Sequence, residues 1–142
     1  MKTTQYLWFL VLSVLVLSGC VTREQADAKL ARGCAAGAEL FLEEGYKIKE
    51  IKDKIFRDDP ELGRGFREVR LFVVESDGWY DTDQEYKCVF SETIGLFNMS
   101  HNATIYQLKL HDQTYGKEGS QILGSFEDHL KLTETVEQGM NR

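Results

Sequence analysis

Three histidines, His101, His111 and His129, are the side chains best suited to metal or acid–base chemistry in this chain, and Met99 adds a thioether beside the first of them. A copper site needs several such groups to converge. These fall on an expected loop, on the outward face of an expected strand and on an expected helix, without the spacing of an established metal motif. Solvated or hydrogen-bonded histidines are therefore expected, and no metal. The acidic stretch Asp77, Asp81, Asp83, Glu85 raises calcium, with Glu92 in twelfth place when the count starts at Asp81. Its sixth place, where an EF-hand loop turns on glycine, is Tyr86, so a solvated turn leading into a strand is expected instead. No serine stands on a Gly-x-Ser-x-Gly elbow, and the glycines from Gly116 to Gly124 lack a Walker lysine or a dinucleotide fingerprint. Paired carboxylates for glycoside hydrolysis are defined by separation in space, on which spacing along the chain is silent. No catalytic residue and no cofactor is expected, and a hydrolase ranks last among the functional readings.

What remains is a set of large aromatics, Trp79, Tyr80, Phe97 and Tyr115, in or beside expected turns. Such side chains either cap the ends of the core or meet a partner. They form the candidate interaction surface.

The elements that position these residues follow from hydrophobic spacing. Thr22-Arg23-Glu24-Gln25 reads as a capping box. Ala26, Leu30, Cys34, Gly37, Ala38 and Phe41 then recur at helical steps, predicting a helix from Arg23 to Glu44 that stops at Gly45. Small residues at 33, 34, 37 and 38 would let it approach a sheet closely, with Cys34 facing inward. Tyr46 to Phe56 is read as a strand because a β-branched run follows a stop signal. Asp58-Asp59-Pro60, Gly63 and Gly65 mark a loop. Phe66 to Ser76 reads as a central strand, Gln84 to Glu92 as the next after a turn at Ser76-Asp77-Gly78, and Ala103 to His111 as a half-buried strand after a loop around Gly95 to Asn102. Asp112 to Gly119 is polar and turn-rich, with a short return at Thr114 and Tyr115. Ser125-Phe126-Glu127-Asp128 opens a terminal helix with Phe126, Leu130, Thr133, Val136 and Met140 on its apolar face.

Near the start of the chain, Lys2 precedes an apolar run from Leu7 to Leu17, which is of signal-peptide length and short of the ~20 residues that span a bilayer. The run closes on Leu17-Ser18-Gly19-Cys20, which resembles the lipobox of bacterial lipoproteins. The resemblance implies cleavage before Cys20, acylation of that cysteine, and attachment to the membrane through it. Several chains on one residue give lasting attachment, because each buried methylene contributes about 0.8 kcal/mol. Val21 stands where Asp commonly signals inner-membrane retention in Gram-negative lipoproteins, so outer-membrane sorting with the domain facing the periplasm is implied. Residues 1–19 would be the signal peptide and residues 20–142 a single periplasmic domain, a size that supports one core.

With the anchor claiming Cys20, Cys34 and Cys88 remain as an even pair in an oxidising compartment, and a structural disulfide is expected between them. A reactive or metal-binding thiol pair is the alternative, but there is no Cys-x-x-Cys spacing and no basic cluster nearby. Loss of Lys2 leaves sixteen basic against 23 acidic residues. An acidic domain of this kind is a poor nucleic-acid binder. The expected fold is α+β, a long N-terminal helix packed on an antiparallel sheet of about four strands, with a C-terminal helix. In pattern it resembles small cystatin-like periplasmic domains, which fixes no function. The leading expectation is a non-enzymatic, lipid-anchored envelope protein with an envelope protein partner, and the alternative a small-ligand or metal carrier.

Overall fold

The computed structural model describes residues 19–142, so Lys2, the run Leu7–Leu17 and cleavage-site Ser18 lie outside the described residues. Helix α1 (Arg23–Leu40) is followed by strands β1 (Lys47–Asp59), β2 (Gly63–Ser76), β3 (Asp81–Ile94), β4 (His101–Leu110), β5 (Gln113–Glu118) and β6 (Gln121–Leu123), and by helix α2 (Phe126–Met140). The strands pair antiparallel in chain order as one meander, so the fold is α+β. The sheet has six strands rather than about four. The two additional ones, β5 and β6, are short and polar, so neither shows a run of alternating burial. Gly116 makes β5 possible, because at φ 105° its α-carbon presses on β4 and a Cβ there would lie 2.4 Å from the Tyr106 carbonyl oxygen.

The start of α1 follows its sequence signature. The Gln25 backbone N–H donates to Thr22 Oγ1 (3.2 Å), and the Thr22 N–H donates to Gln25 Oε1 (3.1 Å). The helix ends at Leu40, four residues before the expected Glu44. There Phe41 leaves the helical path and stacks on Tyr115 of β5, ring centroids 3.8 Å apart and planes 11° from parallel.

One face of the sheet carries the core. Leu30, Cys34 and Ala38 of α1 meet Val69, Leu71 and Val73 of β2 and Tyr86, Cys88 and Phe90 of β3, all essentially inaccessible. Cys34 and Cys88 are joined by a disulfide across this layer, Cα atoms 5.8 Å apart. Helix α2 lies beside α1 over β4, β5 and β6. Its buried residues are Leu132, Val136, Gly139 and Met140, while Phe126 and Leu130 are exposed, so its inward face is rotated from the expected one.

The glycines of α1 serve a different neighbour from the one expected. A Cβ on Gly33 would lie 2.5 Å from Met140 Cγ, and one on Gly37 would lie 2.7 Å from Val136 Cγ2, so these glycines admit α2, while Cys34 and Ala38 face the sheet. Gly139 of α2 answers them, its absent Cβ falling 2.6 Å from Ala36 Cβ and 3.1 Å from the Arg32 carbonyl oxygen. Because backbone limits that space, Gly139→Leu is expected to destabilise the domain by about 1–3 kcal/mol through overpacking. A lowered midpoint in urea denaturation would show it.

Candidate functional site

The sheet has two ends that carry candidate residues, set by the direction of β3. Fourteen residues long, β3 separates the β2–β3 turn from the β3–β4 turn by roughly 45 Å of strand at ~3.3 Å per residue.

The end holding the β3–β4 turn also holds Cys20. The exposed Cys20 stands two residues before the Thr22 cap, with its Sγ 3.7 Å from the Phe97 carbonyl oxygen, and the Val21 N–H donates to the Asn98 carbonyl oxygen at 2.8 Å. The turn itself displays Leu96, Phe97 and Met99, which are 82, 84 and 68% exposed. Phe97 and Asn98 both take left-handed backbone, φ 55° and 56°. Asn tolerates that region, but for a bulky residue it costs about 1–2 kcal/mol.

Beneath this turn the start of α1 is tied to the sheet by charge. Arg23 makes a two-pronged contact with Glu92 (2.6 and 2.9 Å), and Arg67 does the same with Asp27 (2.7 and 3.0 Å). His101 Nε2 lies 2.6 Å from the same Glu92 carboxylate, with the His101 side chain almost fully enclosed. Burial raises the Glu92 carboxyl, but the bonds from Arg23 and His101 outweigh it and hold it below the usual carboxylate range. This network fixes where the folded domain begins relative to the turn.

The opposite end carries Trp79 and Tyr80, 90 and 76% exposed. Both of their backbone N–H groups donate to Asp77 Oδ1 at 2.8 Å, an Asx-type turn that pins the backbone beneath the two rings. Beside this turn opens a cleft of about 580 Å³ whose lining includes Glu43, Tyr46, Glu75, Glu85, His111 and Asp112. Glu75 is buried at its floor and one of its oxygens accepts from the Tyr86 hydroxyl, with His111 Nε2 2.7 Å from the same atom. Burial, and then the adjacent Glu75, raise the Tyr86 hydroxyl far above its ordinary range, so it stays a donor. The lining holds four carboxylates, from Glu43, Glu75, Glu85 and Asp112, a composition that can hold a hydrogen-bond donor or a cation.

The four sequence-flagged aromatics do not form one patch. Trp79 and Tyr80 stand together, Phe97 lies at the other end of β3, and Tyr115 is half-buried against Phe41. The three histidines are likewise apart: His101 under the β3–β4 turn, His111 on the cleft, and His129 in α2, where burial lowers its pKa. The acidic stretch is engaged in ion pairs, Asp81 with Lys49, Asp83 with Lys52 (2.6 Å) and Glu85 with Arg70 (3.3 Å). Sequence reasoning missed Glu75 and its two partners as a group. The one available signal was a glutamate directly after the apolar run Leu71–Val74, since its partners come from β3 (Tyr86) and from the β4–β5 turn (His111).

Among the described residues no helix is long and apolar enough to cross a membrane. No family model, no curated protein and no solved structure matches this chain.

Proposed function

We propose that this chain is a lipid-anchored protein of the bacterial cell envelope, held at the outer membrane through acylated Cys20 and facing the periplasm, where it serves a non-enzymatic binding or accessory role. The observation that carries this reading is the placement of the exposed Cys20 immediately before the Thr22 cap, at the end of the sheet opposite Trp79 and Tyr80. An anchor there leaves the Trp79–Tyr80 end directed away from the membrane. Tyr and Trp supply large contact area at small entropic cost, which suits them to a partner surface.

The test is photo-crosslinking in cells that express the full chain with a probe at position 79 or 80. The expected result is an acylated protein in the membrane fraction and a discrete adduct from both positions, absent from a probe at exposed Glu24 on α1. An unacylated protein, or no adduct from either turn position, overturns the reading. A small-ligand carrier is the second reading, favoured by the cleft over Glu75 and His111. Native mass spectrometry of the same purified protein distinguishes it, because a carrier retains a bound mass.

A further inference from the structure

The β3–β4 turn exposes three large apolar side chains in a row of four positions, Leu96, Phe97 and Met99, with half-exposed Ile94 at its base. No ionisable side chain occurs from Thr93 to Ser100. The nearest charges are already answered: Arg23 and Glu92 are bonded to each other, and His101 is enclosed against Glu92. The neighbouring β1–β2 turn, level with this one in the meander, adds Leu62, 42% exposed, and polar Glu61 and Arg64.

A surface of this composition needs a cover, and the structure says which cover is nearest. Cys20 Sγ lies against the Phe97 carbonyl oxygen, and the Val21-to-Asn98 hydrogen bond holds the chain start on the turn. Acyl chains leaving that sulfur would therefore emerge beside Phe97, at the same end and level as Leu96 and Met99. We propose that the β3–β4 turn is a second membrane contact, in which Leu96, Phe97 and Met99 enter the headgroup–acyl boundary of the bilayer beside the acylated Cys20. This rests on the lipid-anchor reading and goes beyond it. An acyl anchor alone leaves a domain free to tumble about its tether, whereas two adjacent insertion points fix its tilt. The strands then stand away from the membrane, and the Trp79–Tyr80 turn projects roughly 45 Å outward by the ~3.3 Å rise per residue of β3.

The inserted depth for such an apolar surface element is about 5–10 Å, within reach of bromine atoms carried on lipid acyl chains. The mature chain of the lipid-anchor reading has one tryptophan, Trp79, because Trp8 lies in the leader. The full-length chain is expressed and processed in cells, purified, and reconstituted into phosphatidylethanolamine–phosphatidylglycerol vesicles with and without brominated acyl chains. Three forms are compared: the native chain, Phe97→Trp combined with Trp79→Phe, and Leu96→Trp combined with Trp79→Phe as a second probe. The expected result is a blue-shifted emission from the indole at 97 or 96 that brominated lipid quenches, and a native Trp79 emission that it leaves unchanged. Intact mass reads acylation of Cys20 independently. An acylated protein whose indoles at 96 and 97 are as unquenched as Trp79 overturns this inference and leaves the anchor standing. A blue-shifted but unquenched indole places the turn against protein, such as a second copy of the chain, and also overturns it. An unacylated Cys20 removes the anchor reading and this inference together.

Discussion

Replacing Cys34 and Cys88 together by alanine is expected to lower the unfolding free energy by roughly 4 kcal/mol. The bond closes a loop spanning a sequence separation of 54 residues. In the chain-entropy account, a loop of that length removes enough freedom from the unfolded chain to contribute roughly 4 kcal/mol, against a total stability of about 5–15 kcal/mol for a small domain. Location adds to length. Cys34 is in the middle of α1 and Cys88 in the middle of β3, both fully buried, so the bond links the helical layer to the sheet at the centre of the core. Urea denaturation of the oxidised protein, the reduced protein and the double variant should place the last two together and well below the first. A midpoint unchanged by reduction would show that packing alone holds α1 on the sheet.

The disulfide pairing was legible because two cysteines remain once Cys20 is set aside, and the long helix and central strand because each leaves a local mark. Thr22 and Gln25 stand three residues apart as a capping box, and β2 alternates Val69, Leu71 and Val73 against its other face. Sheet size was not legible, since Gln113–Glu118 and Gln121–Leu123 are stabilised by pairing to β4 rather than by burial of their own side chains. The inward face of α2 was misplaced because the helix has more apolar residues than its buried face needs. Phe126 and Leu130, four residues apart, share a stripe that points to solvent, while contact with α1 selects the stripe of Leu132 and Val136. The separation of Phe97 from Trp79 and Tyr80 was implicit in the sequence. One antiparallel strand lies between their turns, so they must fall at opposite ends of the sheet. Buried charge was the least legible feature. Glu68, Glu75 and Asp27 look like ordinary surface acids until strands distant in sequence bring their partners to them.

Glu68 gives the sharpest consequence of that hidden charge. It lies on the face of β2 turned away from the helices and its carboxylate is fully enclosed. Arg57 Nε and Arg70 Nε each donate to Oε1 at 2.7 Å, and Lys87 Nζ lies 3.1 Å from Oε2. Burial alone would raise its pKa. The bonds from Arg57, Arg70 and Lys87 overcome that and lower the carboxyl from 4.5 to about 2. A folded-state value below the unfolded one means that the ionised group stabilises the fold at neutral pH. That contribution is complete above about 4.5 and drains away as pH falls through 4.5 towards 2. Glu68→Gln keeps the shape but leaves three cations facing one another around a neutral amide. The expected cost at pH 7 is about 2–3 kcal/mol, below the full value for breaking a buried pair because Arg57 and Arg70 are partly exposed and can turn to water. Denaturation curves at a series of pH values would then converge. The variant should be clearly weaker than the native protein at pH 7, and the gap should narrow as pH falls from about 4.5, where the unfolded carboxyl takes up its proton, and close at about 2, where the native one does. A gap that stays constant across that range would mean that the amide disturbs packing, and that the ionised carboxylate is not what holds these three basic side chains together.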